Sequence, residues 1–153
     1  MLRSIYPERW LRIHSLPESK RYAESEEEWA ELLLRHNIVA TETLDEGSPC
    51  YLIRGLWIEP DVYRQSWVAD LEGHEQSLQF NVTETVWNRS RHNVLLREVA
   101  DEKVANIVFA SRVTGQVYAP YDGGADLVFC NGQERNERKQ LYRAWLSAHP
   151  EGL

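Results

Sequence analysis

Two cysteines, one methionine and no uninterrupted apolar stretch of membrane-spanning length are the first shortages of this 153-residue chain. Cys50 and Cys130 make neither a CxxC motif nor a disulfide framework. Both fall in apolar runs, so reduced, inert thiols held in strands are expected. A membrane helix needs about 18 or more successive apolar residues, and the opening "MLRSIYPERWLRIH" has arginines and a proline where a secretory signal would have an apolar core. A cytoplasmic protein with no membrane partner is expected. Cationic charge is short as well: 17 Lys and Arg face 24 Asp and Glu, a net charge of −7. That balance argues against nucleic acid, whose phosphates are neutralised by Lys and Arg. It favours a basic protein as partner, although solubility alone is the commoner reason for an acidic surface.

Catalytic signatures are missing too. There is no G-x-S-x-G nucleophile elbow and no G-x-x-x-x-G-K phosphate loop. His14, His36, His74, His92 and His149 are scattered, with neither an H-E-x-x-H pair nor an i, i+4 pair to hold zinc. Neither cofactor nor metal is expected.

What is present reads as a sheet with helices. From Val104 to Cys130 the runs Ile107-Val108-Phe109, Gln116-Val117-Tyr118 and Leu127-Val128-Phe129 are separated by Thr114-Gly115 and by Tyr121-Asp122-Gly123-Gly124-Ala125-Asp126, which predicts a three-stranded meander. Gly123 or Gly124 is expected at positive φ. Asp122 and Asp126 flank that turn. Two carboxylates fall short of the six to eight oxygens of a calcium site, so a structural turn is the preferred explanation.

The segments "LRIHSLPESKRY", "VANIVFAS", "YAPYDGGADL" and "WLSAHPEGL" together resemble a family of small bacterial domains of unknown function, the most specific parts being "PYDGGAD" and "WLSAHPEGL". The resemblance spans nearly the whole chain. It implies a bacterial origin and a single domain, 1–153, and brings no site residue with it.

Trp10 to Leu16 predicts a short strand with Leu11 and Ile13 on one side and Trp10, Arg12 and His14 on the other. Ser25 and Glu28 form an S-x-x-E box. Trp29, Leu32, Leu33 and His36 follow at helical spacing, so a helix over Glu26–His36 with Asn37 as its left-handed cap is predicted. "CYLIRGLWIE" from Cys50 predicts a buried central strand, its Gly55 marking a bulge or a close backbone approach. Residues 67–71 and 78–82 predict a hairpin around Glu72–Glu75, and Leu95, Leu96 and Val99 a short helix. Asn131 and Glu134 open a C-terminal helix with Leu141, Tyr142, Trp145 and Leu146 as its apolar stripe, ending near Pro150 and Gly152. The expected class is α+β: a mainly antiparallel sheet of about five strands with a helix near each end.

Two groups of residues are candidates for function. Arg12, His14, Lys20 and Arg21, with Tyr22, could meet Tyr121, Asp122 and Asp126 in space as an acid/base and anion-clamping cluster of a small hydrolase or nucleotide-handling enzyme. The plainer reading is a set of Arg–Asp and Lys–Asp pairs tying the N-terminal segment to the glycine turn. Glu24, Glu27 and Glu31, with Glu26 and Glu28, make the densest acidic patch and the candidate face for a basic protein. A non-catalytic interaction module, of the immunity kind that covers a basic toxin, is the leading expectation.

Overall fold

The computed structural model describes residues 2–58, 67–69 and 77–147. After a short helix α1 (Leu2–Ile5) come β1 (Trp10–His14), a 3-10 turn (Pro17–Ser19) and the long helix α2 (Glu26–Leu44). Then follow β2 (Pro49–Ile58), β3 (Trp67–Ala69), β4 (Ser77–Val86), α3 (Asn93–Ala100), β5 (Ile107–Ser111), β6 (Val117–Tyr121), β7 (Gly124–Val128), α4 (Gly132–Leu141) and a closing 3-10 turn (Arg143–Trp145).

The architecture is α+β. Among the described residues seven strands, against the expected five or so, form one antiparallel sheet in the order β1-β7-β6-β5-β2-β4-β3. The predicted meander is β5-β6-β7, and the left-handed residue of its first turn is Gly115 at φ 72°. β3 pairs with β4 as the predicted hairpin, and Glu72–Glu75 lie outside the described residues.

Alternation along the strands decides which side chains meet the helices. Leu11, Leu127, Tyr118, Phe109 and Leu52 form a continuous row across five strands, and all are buried. Val39, Ala40 and Leu44 of α2 and Leu95, Leu96 and Val99 of α3 close over that face. Trp87 is fully buried among them, stacked on His92 and edge-on to Phe109 and Tyr118, and its indole N–H donates to Thr41 Oγ1 at 3.0 Å.

Both principal helices start as predicted. Ser25 Oγ accepts from Glu28 N at 3.3 Å and Asn131 Oδ1 from Glu134 N at 2.9 Å, while each glutamate reaches back to the amide preceding the cap, Glu24 N or Cys130 N. Their ends differ from expectation. α2 runs to Leu44, because Val39, Ala40, Thr43 and Leu44 extend the buried stripe past His36. Asn37 is therefore an interior residue. Its amide donates to Leu33 O (2.7 Å) and Asn93 Oδ1 (2.8 Å) and accepts from Ser90 N (2.7 Å), tying α2 to the start of α3. Asn37→Ala leaves Ser90 N without that acceptor and is expected to cost about 2 kcal/mol in urea unfolding. A loss below the scatter of surface substitutions would contradict this role. At the other end α4 stops at Leu141, which is exposed, while Tyr142 is buried; Pro150 and Gly152 lie outside the described residues.

Gly55 does mark a close approach, since a Cβ there would come within 2.8 Å of Asn106 Cβ. Cys50 is buried in β2. Cys130 is exposed, lying past the end of β7 where the chain turns into the cap of α4, so the expected strand burial fails for it.

Candidate functional site

The register of β1 on β7 brings the first candidate group together. Arg12 stands opposite Asp126 and His14 opposite Gly124, two positions along, with the Ile13–Ala125 pair between them. Arg12 Nε and Nη2 donate to the two Asp126 carboxylate oxygens at 2.7 and 3.0 Å, a planar two-pronged match of guanidinium to carboxylate. Its guanidinium also lies 4.8 Å from the Tyr121 ring centre and 5.5 Å from that of Trp10. Asp126 holds the Arg12 pKa above its ordinary value, and burial pushes the Tyr121 phenol up to about 12.

Arg21 donates to Asp122 and, at 3.3 Å, to Glu102; Arg21 and Glu102 are exposed and Asp122 is partly buried. Lys20 turns the other way. Its ammonium donates to Glu24 (2.8 Å) and to both oxygens of Glu28 (2.7 and 2.9 Å), so the Lys–Asp link considered for it does not form. Tyr22 stacks beneath Arg21.

His14 stands apart from these pairs. Its imidazole makes no hydrogen bond among the described residues, and Nε2 is buried. Desolvation, with the nearby Arg12 and Arg35 guanidiniums, lowers its pKa. The ring is neutral at pH 7.

Neither Gly123 nor Gly124 has the expected positive φ. Gly124 is required for another reason: a Cβ there would lie 2.0 Å from the carbonyl oxygen of Ile13 on the adjoining strand. The glycine lets β1 approach β7 closely enough for Arg12 to reach Asp126.

The second candidate group surrounds the start of α2. Glu26, Glu27 and Glu28 occupy its first turn, where the positive end of the helix dipole favours carboxylates. An open cleft of about 540 Å³ adjoins them, lined by Leu16, Pro17, Glu18, Lys20, Glu27, Glu28 and Glu31. Backbone and Ser25 hydrogen bonds lower the Glu27 pKa, and Lys20 lowers that of Glu28. Glu31 is partly committed inward, accepting from Arg35 at 2.6 Å, and Arg35 also donates to His14 O at 3.3 Å.

Sequence reading missed one further cluster. His36, expected as part of an apolar stripe and as a charge at the helix C-terminus, is instead interior to α2 and fully buried between Ser15 Oγ and Tyr118 Oη at 2.7 Å each, linking α2 to the end of β1 and to β6. Nothing in the spacing of Ser15, His36 and Tyr118 announces this chain.

A family model for a domain of unknown function, DUF3885, matches residues 1–150. The chain belongs to that family. No curated protein and no solved structure matches it significantly. The family description names no activity, so the site's own geometry has to carry the functional reading.

Proposed function

We propose that this member of the family is a protein-interaction module, and that the cleft at the start of α2 receives a basic protein. The observation that carries the reading is the cleft lining itself, where Glu18, Glu27, Glu28 and Glu31 stand together with the apolar Leu16 and Pro17. Such a surface attracts cationic side chains from a distance and gives their apolar stems something to pack on. Lys20 of the chain itself already places an ammonium between Glu24 and Glu28. A toxin neutralised by an immunity-type cover is the partner this chemistry suits. The rival enzyme reading gains no support from the Arg12 and Arg21 positions, because both guanidiniums are engaged by aspartates and leave no free anion clamp.

Capture of partners from the native host, followed by a salt titration, tests the proposal. The association rate should fall steeply with ionic strength. Replacing Glu24 and Glu27 together by Lys should weaken binding by more than the ~0.5 kcal/mol of unrelated surface changes. Glu31 is kept in this variant, because its loss would strand the buried Arg35. Unfolding must be measured in parallel, since the same glutamates compensate the helix dipole. Undiminished binding by the double variant would sink the reading.

A further inference from the structure

Beside the Pro17–Ser19 turn lies a second, more enclosed cavity of about 180 Å³, lined by His14, Leu16, Glu18, Ser19, Ala144, Trp145 and Leu146. The space is large enough for several waters or for a short alkyl chain with a polar head. We infer that this cavity binds a primary ammonium group carried on an apolar stem.

The walls divide into the two parts such a ligand needs. An ammonium has three N–H donors, and three acceptors line the cavity: the Glu18 carboxylate, the Ser19 hydroxyl and the imidazole of His14. Glu18 and Ser19 are exposed at the rim, and the Nε2 of His14 is buried without a hydrogen-bond partner among the described residues. Leu16, Ala144 and Leu146 supply apolar surface for the stem. Trp145 is held in place between Arg35, 5.3 Å from its ring centre, and Tyr142, stacked on it at 5.3 Å.

Glu18 is the carboxylate of the lining. Arg12 and Arg35 lie behind the His14 wall and, although paired with Asp126 and Glu31, still disfavour positive charge on His14, so the ammonium belongs at the Glu18 side of the cavity. The neutral imidazole of His14 can offer a lone pair at physiological pH. Glu18 and Ser19 both sit at left-handed φ, 54° and 58°, where non-glycine residues are uncommon. Strained backbone of this kind collects at ligand sites.

The ammonium has two sources: a lysine side chain of a bound protein, or a free alkylamine. The first rests on the interaction-module reading, since the two cavities share Leu16 and Glu18. The ammonium site itself does not.

Titration of n-butylammonium chloride into isotope-labelled protein, followed through the His14 ring and Ser19 amide resonances, tests the site without any partner. Saturable shifts in the millimolar range are expected, with binding at least about tenfold weaker for n-butanol and for Glu18→Gln. Ala144→Leu, at an exposed position, fills the cavity and should abolish the shifts. Absence of saturation, equal affinity for n-butanol, or undiminished binding by Ala144→Leu overturns the inference. Where Ala144→Leu also abolishes capture of a protein partner, the source is a lysine side chain; where capture persists, it is a free amine.

Discussion

Gly124→Ala is expected to lower the unfolding free energy by about 3 kcal/mol, the upper end for overpacking a tightly filled site. The added methyl would sit 2.0 Å from Ile13 O and 2.9 Å from Tyr121 Oη, so it meets backbone that cannot rotate away. β1 would have to lift from β7. That movement would part Arg12 from Asp126 and Ser15 N from Gly123 O, now bonded at 3.0 Å. Gly123→Ala is the matched comparison. There the new methyl meets the Tyr121 ring at 3.2 Å, a side chain able to shift, and a cost of about 1 kcal/mol or less is expected. Urea unfolding of the two variants side by side decides the matter. Equal losses would mean that close approach of β1 is not what demands the glycine.

Acid should destabilise the fold earlier than its carboxylates alone would predict, and His36 should be the main cause. Desolvation, aided by the adjacent Arg35 charge, lowers its pKa from 6.5 to about 4 in the folded state. Between those values the unfolded chain binds the proton and the folded chain does not. Stability therefore rises with pH across this window. The contribution is fully present above pH 6.5 and is lost as pH falls to about 4, amounting to on the order of 3 kcal/mol. His14 and His92, also lowered chiefly by burial, act in the same direction. Opposing them, acidification relieves the net charge of −7. The test is the pH dependence of urea unfolding in the parent and in His36→Gln. The variant starts less stable at pH 7, because Ser15 and Tyr118 lose their shared partner, but its slope between pH 6.5 and 5 should be clearly shallower. Parallel slopes would show that His36 does not carry the acid sensitivity.

The physical basis of that sensitivity is the unusual place of a histidine inside the core. Ser15 Oγ and Tyr118 Oη satisfy the two nitrogens of a neutral ring, one donating and one accepting. A second proton would turn both nitrogens into donors, force the hydroxyl that now donates to rotate, and place a charge in the core with no carboxylate among its hydrogen-bond partners. The same burial raises the Tyr118 phenol well above its ordinary value, so the chain of three stays uncharged at neutral pH.

Local sequence determined the parts of this protein whose physics is local. Alternation marked the strand segments, and Ser25 with Glu28 and Asn131 with Glu134 marked the helix starts, because caps and pleats involve residues within a few positions of one another. It also carried the acidic charge of the α2 start, which is contiguous. The end of α2 was not legible, since an asparagine suits a left-handed cap as well as a buried bridge, and only Asn93 and Ser90 from another segment make Asn37 the latter. Gly124 was legible as a special position but not for its reason, which lies in the carbonyl of Ile13 on a strand from the opposite end of the chain. Pairing of Arg12 with Asp126, 114 positions away, followed from the β1–β7 register. The turn of Lys20 toward Glu24 and Glu28, the burial of His36 and the cavity beside His14 were likewise settled by tertiary packing, because each depends on which distant surfaces exclude water together.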